Sequence, residues 1–377
     1  MCARMVYKFK YVKREVAPKM FLKAKGATSS DDKVKIIRVR MTLRGFKDRD
    51  AWNLETFAGT SSRLSKRIVV SEAVLNGFEL WALDVRKAFL KGVTYAELAA
   101  MTGEEIRVVC FDVPDWCVPI LREFKGFENF DPRTETLMMI KPGTGCKDAP
   151  RCFNIKFMKA LVGDFKAKPT TSDDQLIVRH TAAKQLDCIG SVHVDDVLTG
   201  AKRQILEELL ATLERVFGKG EIDVTRINFT ACGVRHTQTL SKQGEQIGYR
   251  MDQDEYVAAL KPIALPTIGV GAAEKEADPQ CASLFISLLM ALAYSVVIRV
   301  DIAVYVVALQ RHLQKPCYIH IRRLNTVVRW AQKNPLGLVY HRFVCQRTLE
   351  AHTDAGFRRE EDVDENQLGR ATRGTNT

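Results

Sequence analysis

Along this chain the spacing of apolar positions shifts from every second residue to every third or fourth, and the predicted elements shift with it. Residues 6–12 alternate imperfectly and predict a strand. Residues 34–43 alternate apolar with basic side chains and predict a second strand, with Arg38 and Arg40 on one face. The polar stretch 26–32 turns between them, giving a basic β-hairpin. Ser61 or Ser62 can cap a helix to about Asn76, with Leu64, Ile68, Val69 and Leu75 on one side and Gly77 as its stop. Residues 78–85 read as a strand ending at Asp84, and 106–113 as another. The stretch 115–142 is rich in Pro and Gly and takes no assigned element.

Residues 151–162 predict a helix begun by Pro150. Residues 188–198 are apolar on both sides of an Asp-Asp pair, which predicts strand, tight turn, strand. Residues 202–217 carry Ile205, Leu206, Leu209, Leu213 and Val216 on one helical face, with Gly218 behind. Beyond about 235 the pattern becomes mainly helical, over 254–261, 281–297, 302–314 and 319–333, with Pro316 and Pro335 as punctuation. The tail past Glu360 is polar and Gly-rich, and is expected to be disordered. The expected class is α+β, in two or three compact domains.

Composition adds little to that picture and charge adds more. With 46% apolar and 27% charged residues the chain can bury a core. Its formal charge of +12 is heaviest in the first fifty residues. A positive field of this kind suits polyphosphate backbones, an anionic membrane or plain solubility. The ten cysteines show no C-x-x-C pair or regular spacing, so neither a zinc site nor a disulfide framework is indicated, and reduced thiols point to an intracellular setting. The uncharged run 281–298 is long enough to approach a membrane span, but its Ser and Tyr content and the following Arg299 and Asp301 favour a buried core helix.

The candidate chemistry is acidic. His193-Val194-Asp195-Asp196-Val197-Leu198 puts two like charges at a hairpin tip between apolar strands, which is costly unless a cation neutralises them. An ordinary Asp-containing turn needs only one of the two. Leu83-Asp84-Val85 supplies a third carboxylate at a strand end. Three such groups can hold two divalent ions roughly 3.5–4 Å apart. Hard oxygen donors select Mg²⁺, with Mn²⁺ as the close substitute.

A series of segments, following the family's order along the chain, resembles the copia-type long-terminal-repeat retrotransposon reverse transcriptases. Ser62-Arg63-Leu64-Ser65, a helix, then "GFELWALDVRKAFLKG" are similar to that family's start and its Leu-Asp-Val-x-x-Ala-Phe-Leu segment. "VHVDDVLTG" resembles its Tyr-Val-Asp-Asp motif, with His193 where Tyr is usual. "KPGTGCKDAPRCFN" resembles the template-gripping segment, matching at Gly145, Lys147, Ala149, Pro150 and Arg151. "VRMTLRGFKDRD" is similar to the fingers segment, and the stretch around Arg299-Val300-Asp301-Ile302-Ala303 to the helical region, with Val300 in place of proline. "LEAHTDAGF" resembles the opening of a ribonuclease H domain, with Asp354 at its first acidic position.

The resemblance implies a right-hand polymerase fold, with fingers and palm over 5–235, a helical thumb and connection over 236–345, and a truncated ribonuclease H-like start with a tail over 346–377. It implies an RNA-directed DNA polymerase using two Mg²⁺ or Mn²⁺ ions, a template-primer and deoxynucleoside triphosphates. Asp84, Asp195 and Asp196 would hold the metals with the Val85 carbonyl. Arg38, Arg40 and Arg44 would reach the triphosphate, Phe89 would exclude a ribose 2′-hydroxyl, and Gly145 would allow close approach of the nucleotide. Lys147, Arg151 and His193 would touch the nucleic acid, although Lys147 and Arg151 could equally be solvated. Asp362 and Asp364 in a Gly-rich tail do not complete a ribonuclease H site, so no such activity is expected. The expectation is a polyprotein fragment or a decaying copy, cytoplasmic (in a virus-like particle) or nuclear. The alternative is a non-catalytic nucleic-acid-binding remnant, favoured by wear at His193 and Val300.

Overall fold

The computed structural model describes residues 3–13, 33–50, 52–226, 228–231, 233–243, 245–266 and 272–342, with 3–13 and 33–41 given by backbone alone. All fall in one compact unit, Met1–Arg342. The turn expected at 26–32, Asp354 with the ribonuclease H-like opening, and the tail past Glu360 lie outside the described residues.

Strand β1 (Ala3–Lys13) pairs antiparallel with β2 (Lys33–Leu43), and Arg38 and Arg40 stand opposite Lys8 and Val6. Helix α1 (Arg63–Asn76) begins where the Ser62 hydroxyl accepts the Ser65 N–H at 3.0 Å, and ends at Gly77, whose φ of 63° is the left-handed cap that favours glycine. Strand β3 (Glu79–Val85) follows at once. Next come α2 (Tyr95–Thr102), β4 (Cys110–Phe111), α3 (Val118–Leu121) and β5 (Leu137–Met138). The strand expected over 106–113 shrinks to the two residues that find a partner in β5, and Ile106 and Val108 are left exposed. Alternation alone does not make a strand without a ladder to join.

Helix α4 (Ala149–Lys159) takes Pro150 into its first turn and ends in a wider turn over Ala160–Asp164. Then follow β6 (Lys168–Pro169), β7 (Leu176–His180), β8 (Leu186–His193), β9 (Asp196–Ala201), α5 (Arg203–Phe217) and β10 (Ile222–Arg226). These strands and β3 form an antiparallel sheet in the order β10-β3-β9-β8-β7-β6. One face buries Trp81, Leu83 and Val85 against Phe153 and Phe157 of α4 and Leu206, Leu209 and Leu213 of α5. The other packs Leu80, Ile189 and Leu198 on Val69, Val70, Ala73 and Val74 of α1.

The expectation of a mainly helical chain beyond 235 fails at its beginning. Strands β11 (Asn228–Ala231), β12 (Val234–Leu240) and β13 (Gln246–Asp252) form a second antiparallel sheet, completed much later by β14 (Gly337–His341). The signal is masked because two inward positions of β12 are polar. His236 meets the Tyr249 hydroxyl at 2.6 Å. The Gln238 amide oxygen accepts the Leu80 N–H at 2.9 Å, and its NH₂ donates to the Leu80 carbonyl at 2.7 Å. Among the described residues the pairing of β3 with β10 ends at Trp81, and the Gln238 side chain takes up the next backbone groups, those of Leu80.

Helices α6 (Asp254–Ala258), α7 (Pro279–Ser295), α8 (Ala303–Gln310) and α9 (Tyr318–Lys333) match the helical expectation in place, though not in every boundary. Phe285, Leu288, Leu289 and Leu292 of α7 pack on Val306 and Leu309 of α8 and on Ile321, Leu324 and Val328 of α9. Among the described residues no helix is long and apolar enough to cross a membrane.

Candidate active site

Strand alternation fixes where the acids point. Leu83 and Val85 face α4 and α5, so Asp84 faces the other way, toward the α1 side. The same argument holds for Asp196 before Val197, and for Asp223 between Ile222 and Val224. Register then lines them up: Asp84 stands opposite Asp196 on one side and Asp223 on the other, His193 stands opposite Asp196, and Thr60 bridges to His193. Neighbours in such a row are about 4.5–5.5 Å apart at Cα.

Asp195 lies in the two-residue turn between β8 and β9, and its carbonyl accepts the Val85 N–H at 3.4 Å. The turn requires Val194 to adopt φ 60°. A β-branched residue in the left-handed region is strained, and strain of this kind concentrates at functional sites.

The row carries more negative charge than its surroundings offset. Burial raises the Asp84 pKa above its ordinary 3.8, and Asp195, Asp196 and Asp223 raise it further against the pull of Arg86. Burial and then Asp195 raise Asp196 likewise, against His193 and Lys66. Burial and Lys66 lower His193, keeping its ring neutral near pH 7, and its Nδ1 is buried without a hydrogen-bond partner. Asp223 differs. Arg86 donates from Nε to both its carboxylate oxygens at 2.9 Å and from Nη1 to the Gly220 carbonyl, and this pairing lowers the Asp223 pKa.

The acids line a cleft of about 460 Å³ whose opposite wall is basic, with Arg63, Lys66 and Arg67 of α1 beside Asp84, His193, Asp196 and Asp223. Arg67 also donates to the Val297 carbonyl. Among the described residues no three His, Cys, Asp or Glu side chains converge on a point that could hold a metal ion. Asp84, Asp195 and Asp196 are thus brought to one end of the sheet without forming a finished coordination shell. Their hard oxygen donors and only partly offset mutual repulsion nevertheless fit a hard divalent cation.

The remaining candidates distribute unevenly. Arg44 is half-buried just before a short turn over Gly45–Lys47. The backbones of Arg38 and Arg40 lie on β2, and their side chains are outside the described residues. Phe89 is half-buried between the sheet core and a small cluster of Leu43, Phe111, Cys146 and Ala149. Gly145, at φ 98°, approaches the backbone of Leu43 so closely that a Cβ would lie 2.1 Å from its carbonyl oxygen, so the close contact is made within the chain itself. Lys147 is exposed, with Nζ 5.9 Å from the Trp52 ring centroid. Arg151 is engaged by both oxygens of Glu104, at 3.0 and 2.6 Å, rather than left to solvent.

Asp223, Arg86 and the two inner cations of α1, Lys66 and Arg67, escape the sequence reading. Ile222-Asp223-Val224 has the same apolar-acid-apolar form as Leu83-Asp84-Val85, and that repeated form is the signal that could have found Asp223.

No protein-family profile matches the chain. It is 22% identical over 350 residues, 89% of its length, to the "Retrovirus-related Pol polyprotein from transposon RE1" of Arabidopsis thaliana. It is 23% identical over 338 residues, 87% of its length, to the corresponding polyprotein from transposon RE2. The chain spans 21% of each of these relatives. Over most of its length, then, it is similar to one region of retrotransposon Pol polyproteins.

Proposed function

We propose that this chain is an RNA-directed DNA polymerase, adding deoxynucleotides to a primer by two-metal phosphoryl transfer. The observation that carries the reading is the row of Asp84 and Asp196 beside the Asp195 turn, at the acidic floor of a cleft with a basic wall. Similarity to transposon Pol polyproteins supports it independently. On this reading β3 and β7–β10 belong to a palm, β1 and β2 to fingers, and α7–α9 to a thumb or connection of a right-hand polymerase.

Asp84, Asp195 and Asp196, with the Val85 carbonyl, would hold Mg²⁺ or Mn²⁺ ions. When bound, such ions polarise phosphoryl oxygens and neutralise developing charge. The chain's own residues do the rest. The α1 cations draw a phosphate backbone toward the acidic floor. Arg38, Arg40 and Arg44 present guanidinium forks to the triphosphate. Phe89, five residues beyond Asp84, limits space at the sugar. His193, neutral and adjoining Asp196, offers a flat ring against the primer end.

Primer extension on an RNA template with Mg²⁺ or Mn²⁺, set against Asp195→Asn, tests the proposal. Loss of incorporation in Asp195→Asn is expected. Equal incorporation by both proteins would sink it, and primer-template binding with a steep salt dependence but no extension would favour the non-catalytic remnant.

A further inference from the structure

The loop after β2 holds three aromatic side chains out in solvent: Phe46 is 66% exposed, Trp52 93% and Phe57 69%. Exposed rings on a floppy loop would mean little, but this loop is fastened. Asp48 lies beneath it, its side chain 6% exposed, and is ion-paired with Arg107, which also pairs with the buried Asp148 at the start of α4. The Leu43 and Gly45 N–H groups donate to the Thr144 and Gly145 carbonyls at 3.0 and 3.2 Å. The loop is therefore fastened at its start, through Leu43, Gly45 and Asp48, and at its end, where the Ser61 N–H donates to the Val192 carbonyl at 2.9 Å.

Charge identifies what such a surface suits. Lys47 and Arg49 are exposed on the same loop as the rings, and the exposed Lys147 has its Nζ over Trp52. Asp50 and Glu55 are the exposed acids of the loop; Glu55 accepts the Phe57 N–H at 2.8 Å, and the Asp50 N–H donates to the Asp48 carboxylate at 3.2 Å. Asp48 is taken up by Arg107. Cations that follow a backbone, interleaved with rings that accept any base, are the recognition chemistry of an unpaired nucleic-acid strand. A duplex hides its base faces and could use only the cations.

From this we infer that Phe46, Trp52 and Phe57, with Lys47, Arg49 and Lys147, form a stacking platform for single-stranded nucleic acid. The platform rests on the segment that carries Gly145 and adjoins the cluster against which Phe89 packs. The inference deepens the polymerase reading and rests on it for the strand's role as template, but binding itself can be tested apart from catalysis.

The experiment uses the full chain carrying Asp195→Asn, without divalent ions, and follows tryptophan fluorescence and anisotropy with a labelled twelve-nucleotide RNA or a blunt duplex of the same length. The single strand should quench fluorescence. Trp52→Ala should weaken single-strand binding about tenfold, Trp52→Phe should retain most of it, and both should leave duplex binding and melting temperature unchanged. The inference is overturned by absent quenching, by unchanged single-strand affinity in Trp52→Ala, or by equal loss for strand and duplex. A shift from dimer to monomer on Trp52→Ala, with RNA affinity intact, would assign the surface to a second copy and also overturn it. Primer extension by the unsubstituted chain, scored separately, distinguishes failure here from failure of the polymerase reading.

Discussion

Asp223 stands directly opposite Asp84 on the neighbouring strand, yet the two carboxylates are held in opposite ways. Burial and then the neighbouring acids raise the Asp84 pKa, whereas Asp223 is gripped by Arg86 and its pKa falls. Arg86 thus keeps a fourth carboxylate out of the Asp84–Asp196 pair. On the proposed reading, Arg86→Ala should tighten Mn²⁺ binding severalfold, and adding Asp223→Asn should reverse the gain. Electron paramagnetic resonance of free Mn²⁺ reports this directly, and unchanged affinity in Arg86→Ala would remove the role given to Arg86.

Clustered acids should also cost stability. Asp84 and Asp196 have native pKa values above the 3.8 of an unfolded chain. The native state therefore binds the proton more tightly, and stability falls as pH rises from 3.8 through the raised native values, then stays flat. Asp84→Asn and Asp196→Asn should melt higher than the unsubstituted protein at pH 7, with the difference vanishing below pH 3.8. Lower melting of both variants at pH 7 would contradict this.

Arg107 has two buried partners, Asp48 and Asp148, with side chains 6% and 3% exposed. Arg107→Ala strands both carboxylates and should destabilise by about 3–5 kcal/mol. Restoring neutrality with Asp48→Asn and Asp148→Asn should recover part of that loss in urea denaturation. A surface ion pair would show less than about 1 kcal/mol and no recovery.

The strain at Val194 makes the opposite kind of prediction. Glycine adopts φ 60° freely, so Val194→Gly should stabilise by up to about 1 kcal/mol after its own entropic cost. Incorporation should fall all the same if the turn's rigidity positions Asp195. A variant that is less stable would show that Val194 is not strained.

Phe89 packs into two clusters and also occupies the gate position that the resemblance implies. Phe89→Val keeps an apolar side chain there and shortens it. If Phe89 excludes the 2′-hydroxyl through a clash of ~1.4–3 kcal/mol, ribonucleotide incorporation should rise about ten- to hundredfold relative to deoxynucleotide. An unchanged ratio would leave Phe89 as a core aromatic alone.

Much of the site is legible in the sequence because period and punctuation act locally. Ser62 and Gly77 bound α1, and apolar neighbours on both sides of Asp84 and of the Asp195–Asp196 pair place these acids at strand ends. What stays hidden depends on distant partners. β12 buries His236 and Gln238, which read as polar until Tyr249 and Leu80 satisfy them. The run 106–113 alternates well but finds only two residues to pair with. Asp223 becomes a neighbour of Asp84 only through register, and register belongs to the assembled sheet.

The Gln238 amide has a mechanical consequence. It rivets β3 of one sheet to β12 of the second, and sliding one past the other would break two buried hydrogen bonds together, at a cost of about 2–6 kcal/mol. Floor and rear wall of the cleft therefore behave as a single fixed jaw. On the α1 side the Arg67 guanidinium donates to the Val297 carbonyl, next to Ile298, which is buried in the same core as α1 and the sheet. A guest entering the cleft would therefore meet the acidic row on an unyielding floor.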